Sequence, residues 1–396
     1  MTKKYKLPFS GRAHTYTKEE CEMVIDVMQN ADTLTQGIYL KKFEDDFKSF
    51  IGDGHYFAVS SAASALELIA QICAFNNDDE IIVPVHTYTA SVLPFIKHGA
   101  KIIWADIDPS TRVINAEIFE KLITKKTKAI LVVHLYGFCA DMDKIVTIAR
   151  KKGILVIEDV AQALGTDLKG KRAGVFGDFS AFSFHSHKNV STLGEGGIIR
   201  VKDKNFADMI PMLRHNGHCD FGYLREQYWL PAMSNIDIPE IEGRKLLPNN
   251  FSIGEVQCAL GSKLLERIDE INLEKRNRAI FLIDELSSFD FILFHREASS
   301  RHNYHLLALE FLMPYRDIFF EEMIEYGIQC AVQYYPLNRY DLYKKLGYGY
   351  ADCPNSEKFF DNMASLPFQH MMSDEEFIYL INSLKKVLKK IDARKT

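Results

Sequence analysis

Residues 182–197 read FSFHSHKNVSTLGEGG. An apolar run, FSAFSFH, leads into this stretch, and STLGEGGIIRV carries it through a glycine turn into a second strand-like run. Lys188 therefore sits on a loop between two buried strands, better placed for pocket chemistry than a lysine on a charged helix face. Its amine is a nucleophile only when neutral, and the ordinary lysine pKa of ~10.4 keeps it charged. Using it requires a desolvated pocket or nearby positive charge. Taken alone, the stretch is weak evidence, and a solvated surface lysine is its ordinary reading, with His185 and His187 as packing groups.

Working outward, EIIVPVHTYTA (from Glu80), AKIIWADID (from Ala100), KAILVVHLYG (from Lys128) and ILVIEDVAQ (from Ile154) have the length and the Val, Ile and aromatic content of buried strands. Between them SALELIAQICAF and MDKIVTIARKKG have helical spacing, the second closing on a Lys-Lys-Gly stop. Strand–helix alternation predicts an α/β fold, a mostly parallel sheet between layers of helices. From about Leu260 the pattern changes to the charged helical stretch SKLLERIDEINLEKRNRAIFLIDELSS, short strands such as YHLLALEF, and a closing amphipathic helix, DEEFIYLINSLKKVLKKI. This predicts a large α/β domain over 1–260, with an N-terminal arm, and a smaller α+β domain over 261–396. The stretch from Cys219 to Asn249, with Pro231, Pro239 and Pro248, reads as a long loop of the kind that carries function.

The composition narrows the function classes. At 47% hydrophobic and 26% charged the chain has the make-up of a soluble globular protein. A net charge of −5 gives no pull toward nucleic acid or anionic membrane. MTKKYKLPFSG lacks the apolar segment of a signal peptide, and the longest apolar run, AILVVHLYGF, is far below the ~18 residues of a membrane span. The expected location is the cytoplasm. The 7 cysteines are scattered, without metal-ligand spacing, and read as buried free thiols; no metal is expected.

Three further features bear on chemistry. Asp159 closes an apolar strand, and in parallel sheets ligands bind at the carboxyl ends of strands. A carboxylate there can pair with a protonated pyridine nitrogen, or simply cap a helix. In AVSSAASALELIA, Ser60, Ser61 and Ser64 mark a turn from strand into helix, where free backbone N–H groups make an anion site. Serine is also what ordinary capping asks for. In PVHTYTAS, His86 and Tyr88 end another strand, and an aromatic there can stack on a planar group or fill core.

In this order the segments resemble the DegT/DnrJ/EryC1/StrS family of pyridoxal-phosphate-dependent sugar aminotransferases. The resemblance runs over nearly the whole chain: TLTQGIYLKKFEDDF, the serine turn, PVHTYTAS, GAKIIWADID, VVHLYGFCADMD, IEDVAQALG, GDFSAFSFHSHKNVSTLGEGG, RHNGH, NNFSIGEVQCALG and SLPFQHMMSDEE. It implies a fold-type I transferase with a seven-stranded sheet and pyridoxal 5'-phosphate as cofactor. Lys188 matches the Schiff-base lysine that also moves protons, and Asp159 the carboxylate on the pyridine nitrogen. Gln162 matches a glutamine near the ring's phenolic oxygen, Tyr88 the stacked aromatic, and Ser183 a hydroxyl donor to the phosphate. The turn Ser61-Ala62-Ala63-Ser64 matches the phosphate loop, with alanine where the family usually has threonine, so that backbone N–H groups and Ser64 are expected to serve. Asn250 matches an asparagine that reaches the neighbouring subunit's phosphate, which implies a homodimer with shared sites. The family's N-Y-R-M is here Asn250-Phe251-Ser252-Ile253, without the arginine.

Some relatives carry histidine at the lysine position and dehydrate sugars. Here the phase of FSFH-x-x-K-N puts Lys188 on that position, with His187 beside it, and transamination is expected. The resemblance implies a ping-pong transfer from L-glutamate to a keto-sugar, usually nucleotide-linked, for surface polysaccharides. A small phosphorylated ketone or a keto-sugar acid is the alternative acceptor; a sugar dehydratase and a non-catalytic cofactor-binding regulator rank below it. His187, His215 and Arg339 are candidate substrate contacts, as are Arg214, His218, Arg225 and Arg244, since guanidinium forks suit phosphate and carboxylate.

Overall fold

In a computed structural model of the chain, which describes residues 5–9, 12–221, 234–295 and 300–394, seven strands form one sheet. They are β1 His55–Val59, β2 Glu80–Pro84, β3 Lys101–Ala105, β4 Thr127–Val133, β5 Leu155–Asp159, β6 Phe179–Ser183 and β7 Gly197–Val201. Their order is β1-β7-β6-β5-β4-β2-β3. All pairings from β6 to β3 are parallel, and β7 alone runs against both neighbours. Ile81–Val83 and Ile130–Val132 are fully buried, the continuous apolar run of a strand covered on both faces. In register, Asp159 stands opposite Val133 of β4 and Ala181 of β6, which puts its carboxylate at the carboxyl edge of the middle of the sheet.

The helices follow the sequence pattern, with Ala62–Ile72 after β1 and Met142–Lys152 before β5. The helix Ile38–Ile51 buries Leu40, Phe43, Phe47 and Ile51, and has only Gly37 at its N-cap. Its exposed N–H groups are served from far along the chain. Glu255, itself buried, accepts from Gly37 N at 2.9 Å, Tyr39 N at 2.7 Å and Leu40 N at 3.3 Å. A Cβ at Gly37 would lie 2.6 Å from that carboxylate, so glycine is what the close approach demands.

Past residue 290, β8 Ile292–Phe294, β9 Leu307–Phe311 and β10 Met363–Leu366 form an antiparallel sheet in that order. It packs in a second core with Leu282, Phe319, Leu384 and Leu388, the last two from the closing helix Asp374–Asp392. Residues 260 and 261 both lie inside the helix Glu255–Leu265, and Leu337, Tyr343, Phe359 and Met363 pack in the larger core. The two cores thus interleave along the sequence. The expected loop from Cys219 holds two short pairings, His218–Cys219 with Asn235–Ile236 and Glu240–Ile241 with Arg244–Lys245. Cys73, Cys139, Cys258 and Cys353 are buried thiols, whereas Cys21 is exposed. Among the described residues no helix is long and apolar enough to cross a membrane.

Glu255→Ala strands three backbone donors at once and should cost about 2–3 kcal/mol, read as a lower urea midpoint. Glu255→Gln, which keeps one acceptor oxygen, should lose less. An unchanged midpoint in Glu255→Ala would show that the helix start is held by other contacts.

Candidate active site

At the carboxyl edge of the sheet lies a cavity of about 510 Å³. Ser61, Ala62, Ala63, Tyr88, Asp159, Gln162, Ser183, His187 and Lys188 all line it. Parallel strands explain the convergence, because β1, β2, β5 and β6 each release their following loop at the same edge.

The serine turn is built by capping. Ser61 is the N-cap of the helix Ala62–Ile72, and its Oγ accepts from Ser64 N at 3.1 Å. The N–H groups of Ala62 and Ala63 belong to the first turn and have no intrahelical partner. With methyl side chains there, an anion can approach the backbone closely. The turn rests directly on β7: a Cβ at Gly197 would stand 2.3 Å from Ser61 C and 2.5 Å from Ala62 N. This contact accounts for the last glycine of GEGG. Ser64 does not line the cavity. Its hydroxyl bonds Ser60 Oγ at 2.9 Å and Ser61 Oγ at 3.0 Å, so it braces the turn from behind instead of facing a ligand as expected.

Asp159 is buried and held at both oxygens. Ser91 Oγ donates to Oδ2 at 2.7 Å and Ala161 N to Oδ1 at 3.0 Å. Ser91 reaches it from the short turn Thr89–Ser91 after β2. Gln162 is fixed at both ends, its Oε1 accepting from Tyr136 N and its Nε2 donating to Tyr334 OH, each at 2.7 Å. One amide N–H remains for the cavity. Tyr88 is 56% exposed, with its ring 6.1 Å from that of Tyr334. Ser183 Oγ accepts from His185 N at 3.3 Å.

Lys188 is half-buried and lines the cavity. Burial lowers its pKa to about 8, against the opposing pull of the Asp159 and Glu195 carboxylates. His187 is exposed at the rim, its ring 4.9 Å from that of His185. Its pKa is lowered by burial and then by the positive charges of His185 and Lys188. His185 lines the cavity, 3.6 Å from Glu195 Oε1.

Other candidates lie elsewhere. Arg339 is outside the cavity, facing Glu357 at 3.6 Å and Asp361 at 3.8 Å over the ring of Phe360. His215 is also outside, bonded to Ser252 Oγ at 2.8 Å and set against His218. Arg214 is a buried structural cation paired with Glu44 at 2.6 Å, and Arg244 holds the carbonyl of Phe75 at 2.7 Å. Arg225 lies outside the described residues. His86 is core, bonded to Tyr136 OH at 2.7 Å. Asn250 does not line this chain's cavity. It is exposed, beside Phe251, whose carbonyl accepts from Ser60 N at 2.9 Å. Ser91, Tyr334 and Lys275 are among the lining residues that went unforeseen. Ser91 stood in the quoted PVHTYTAS, where its spacing after β2 was the available signal; the other two come from distant segments. Among the described residues no group of three or more His, Cys, Asp or Glu side chains is placed to hold a metal ion.

The set fits pyridoxal phosphate. An amine near neutrality, an oriented carboxylate and a helix N-terminus bare of side chains share one cavity, as a carbonyl, a pyridine nitrogen and a phosphate on one small molecule would need. Comparison with known proteins points the same way. The DegT/DnrJ/EryC1/StrS aminotransferase family matches residues 14–385. The spore coat polysaccharide biosynthesis protein SpsC of Bacillus subtilis is 31% identical, over 98% of this chain and 97% of its own. GDP-perosamine synthase of Escherichia coli O157:H7 is 30% identical, over 93% and 96% respectively. Spr1654 of Streptococcus pneumoniae, solved in a PLP-form, superposes with a TM-score of 0.82 at 27% identity, covering 96% of this chain and 99% of that one. Its PMP-form gives 0.87 at 26% identity with the same coverage.

Competitive acetylation of amines in the cofactor-free protein, followed peptide by peptide by mass spectrometry, should find Lys188 half-reactive near pH 8. Below that pH the amine is protonated and inert; above it the neutral form reacts. A midpoint at the ordinary ~10.4 would contradict the enclosed setting.

Proposed function

The chain belongs to the DegT/DnrJ/EryC1/StrS aminotransferase family, and from that premise we propose that it moves the amino group of L-glutamate to a nucleotide-linked keto-sugar by a ping-pong route. The reading rests on one observation above all: Lys188, its pKa lowered to about 8, shares a cavity with Asp159 and the Ser61–Ala63 turn. In the proposed mechanism the Ala62 and Ala63 N–H groups, Ser61 and Ser183 would hold the cofactor phosphate. Asp159, oriented by Ser91 and Ala161, would pair with the pyridine nitrogen. Gln162 would offer its remaining N–H to the ring's oxygen, and Tyr88 would stack on the ring. Pyridoxal phosphate supplies the electron sink that makes the donor's Cα proton removable. Lys188 Nζ, neutral in a sizeable fraction near pH 8, takes that proton and returns it, the task of a general base matched to its working pH.

The relatives' names support the acceptor. One is named a GDP-perosamine synthase, a name that carries a nucleotide-linked sugar, and another a spore coat polysaccharide biosynthesis protein. The phosphorylated ketone gains nothing from them. Lysine at 188, with histidine only beside it, supports transamination over dehydration. We propose a cytoplasmic homodimer as the working form. Asn250, exposed and away from its own cavity, is free to serve a partner, and the apolar side chains of Ile38 and Leu247, 77% and 70% exposed, suit a covered surface. The buried thiols fit a reducing compartment.

L-Glutamate added to the cofactor-loaded enzyme should bleach its visible band and release one 2-oxoglutarate. A panel of nucleotide keto-sugars should then restore the band and yield an amino sugar by mass. Lys188→Ala should lower turnover by about 10³-fold. Turnover within tenfold of wild type in that variant, or a sugar product that has lost water without gaining nitrogen, would sink the reading.

A further inference from the structure

The cavity contains a second lysine that the proposed chemistry does not use. Lys275 comes from the helix Ile268–Glu285 and is only 2% exposed, yet it lines the same cavity as Lys188. Its ammonium is held by two neutral acceptors, Asn189 Oδ1 at 2.9 Å and the carbonyl oxygen of His305 at 3.1 Å. Among the described residues no carboxylate lies within ion-pair distance of it. Of the two carboxylates lining the cavity, Asp159 is committed to Ser91 and Ala161, and Glu195 faces His185. An ammonium has three N–H groups, and two are spent. Burial without a counter-charge depresses its pKa to about 7. The amine lies 5.4 Å from the centroid of the Phe368 ring, and an anion arriving from the cavity would take the spare donor and hold the lysine charged.

We propose that Lys275 is the carboxylate receptor of the site, its ammonium pairing with the α-carboxylate of the amino donor. The inference rests on the aminotransferase reading above. Position selects this anion over the diphosphate of a nucleotide sugar. Asn189, which holds Lys275, directly follows Lys188 in the chain, and both lysines line the one cavity. An α-carboxylate is bonded to the reacting carbon itself, whereas the diphosphate lies several bonds beyond the reacting carbonyl. Two fixed hydrogen bonds aim the ammonium, so the donor's carboxylate also sets how its Cα–H is presented to Lys188.

The test uses the cofactor-loaded enzyme, with glutarate as a probe that has carboxylates and no amine. Calorimetric titration should show Lys275→Met binding glutarate at least tenfold more weakly than wild type, with an unchanged cofactor absorbance band. Lys275→Gln, which keeps polar contact with Asn189, covers the case in which the methionine variant does not fold. In single-turnover runs the variant should lose rate with L-glutamate and keep it with n-propylamine, which has no carboxylate. Glutarate affinity within twofold of wild type, an equal loss with both amines, or wild type that binds no glutarate would overturn the proposal. Weakened UDP binding with unchanged glutarate would assign the ammonium to the nucleotide and overturn it too. If L-glutamate fails to bleach the wild-type band, the donor reading alone falls, and the glutarate comparison still decides the role of Lys275.

Discussion

The contact on which the site depends is the seating of the Ser61–Ala62 turn on Gly197. No side chain fits between them, since even a Cβ would stand 2.3 Å from backbone. The contact fixes β1 against β7, the one reversed strand, and thereby sets the start of the helix Ala62–Ile72 beside the loop that carries Lys188. A helix N-terminus offers fixed N–H donors and a favourable dipole to an anion. Placed there, it faces an edge where parallel pairing has already brought Asp159. Backbone geometry alone thus positions an anion site and a carboxylate on either side of one amine.

Electrostatics then give that amine its character. Burial works against the charged form of Lys188 while Asp159 and Glu195 work for it, and burial prevails. The same balance without any carboxylate acts on Lys275, whose pKa falls further. Two lysines in one cavity therefore differ by their neighbours: one has carboxylates to oppose burial, the other an amide, a carbonyl and the ring of Phe368. In the proposed reading this difference divides the labour between a group that moves protons and a group that awaits a charge.

Much of this was legible in the sequence, for a physical reason. Strands β2, β4 and β5 are buried on both faces past their first one or two residues, so each is a continuous apolar run with a visible end; Asp159 closes β5, and the serine turn follows the buried end of β1. Lys188 and GEGG share a short loop, so their association is local. The rest depended on distance. Lys275 lies in a helix so rich in charge that nothing marks it as inward-facing. Tyr334 meets Gln162 across 172 residues. Ser64 carried the right chemistry, but its hydroxyl turns back to Ser60 and Ser61. Arg339 was chosen for its guanidinium, and the carboxylates of Glu357 and Asp361 occupy it. The boundary at 260/261 followed a change of composition, whereas the cores interleave because Leu337–Met363 folds back onto the larger one.

The central claim is that Lys188 is the residue that carries the cofactor. Borohydride reduction of the loaded enzyme, followed by peptide mapping, tests it directly. The account predicts a pyridoxyl group on Lys188 alone, in the peptide that includes FSFHSHKNV. A pyridoxyl group on Lys275 or on any other lysine, with Lys188 unmodified, would contradict it.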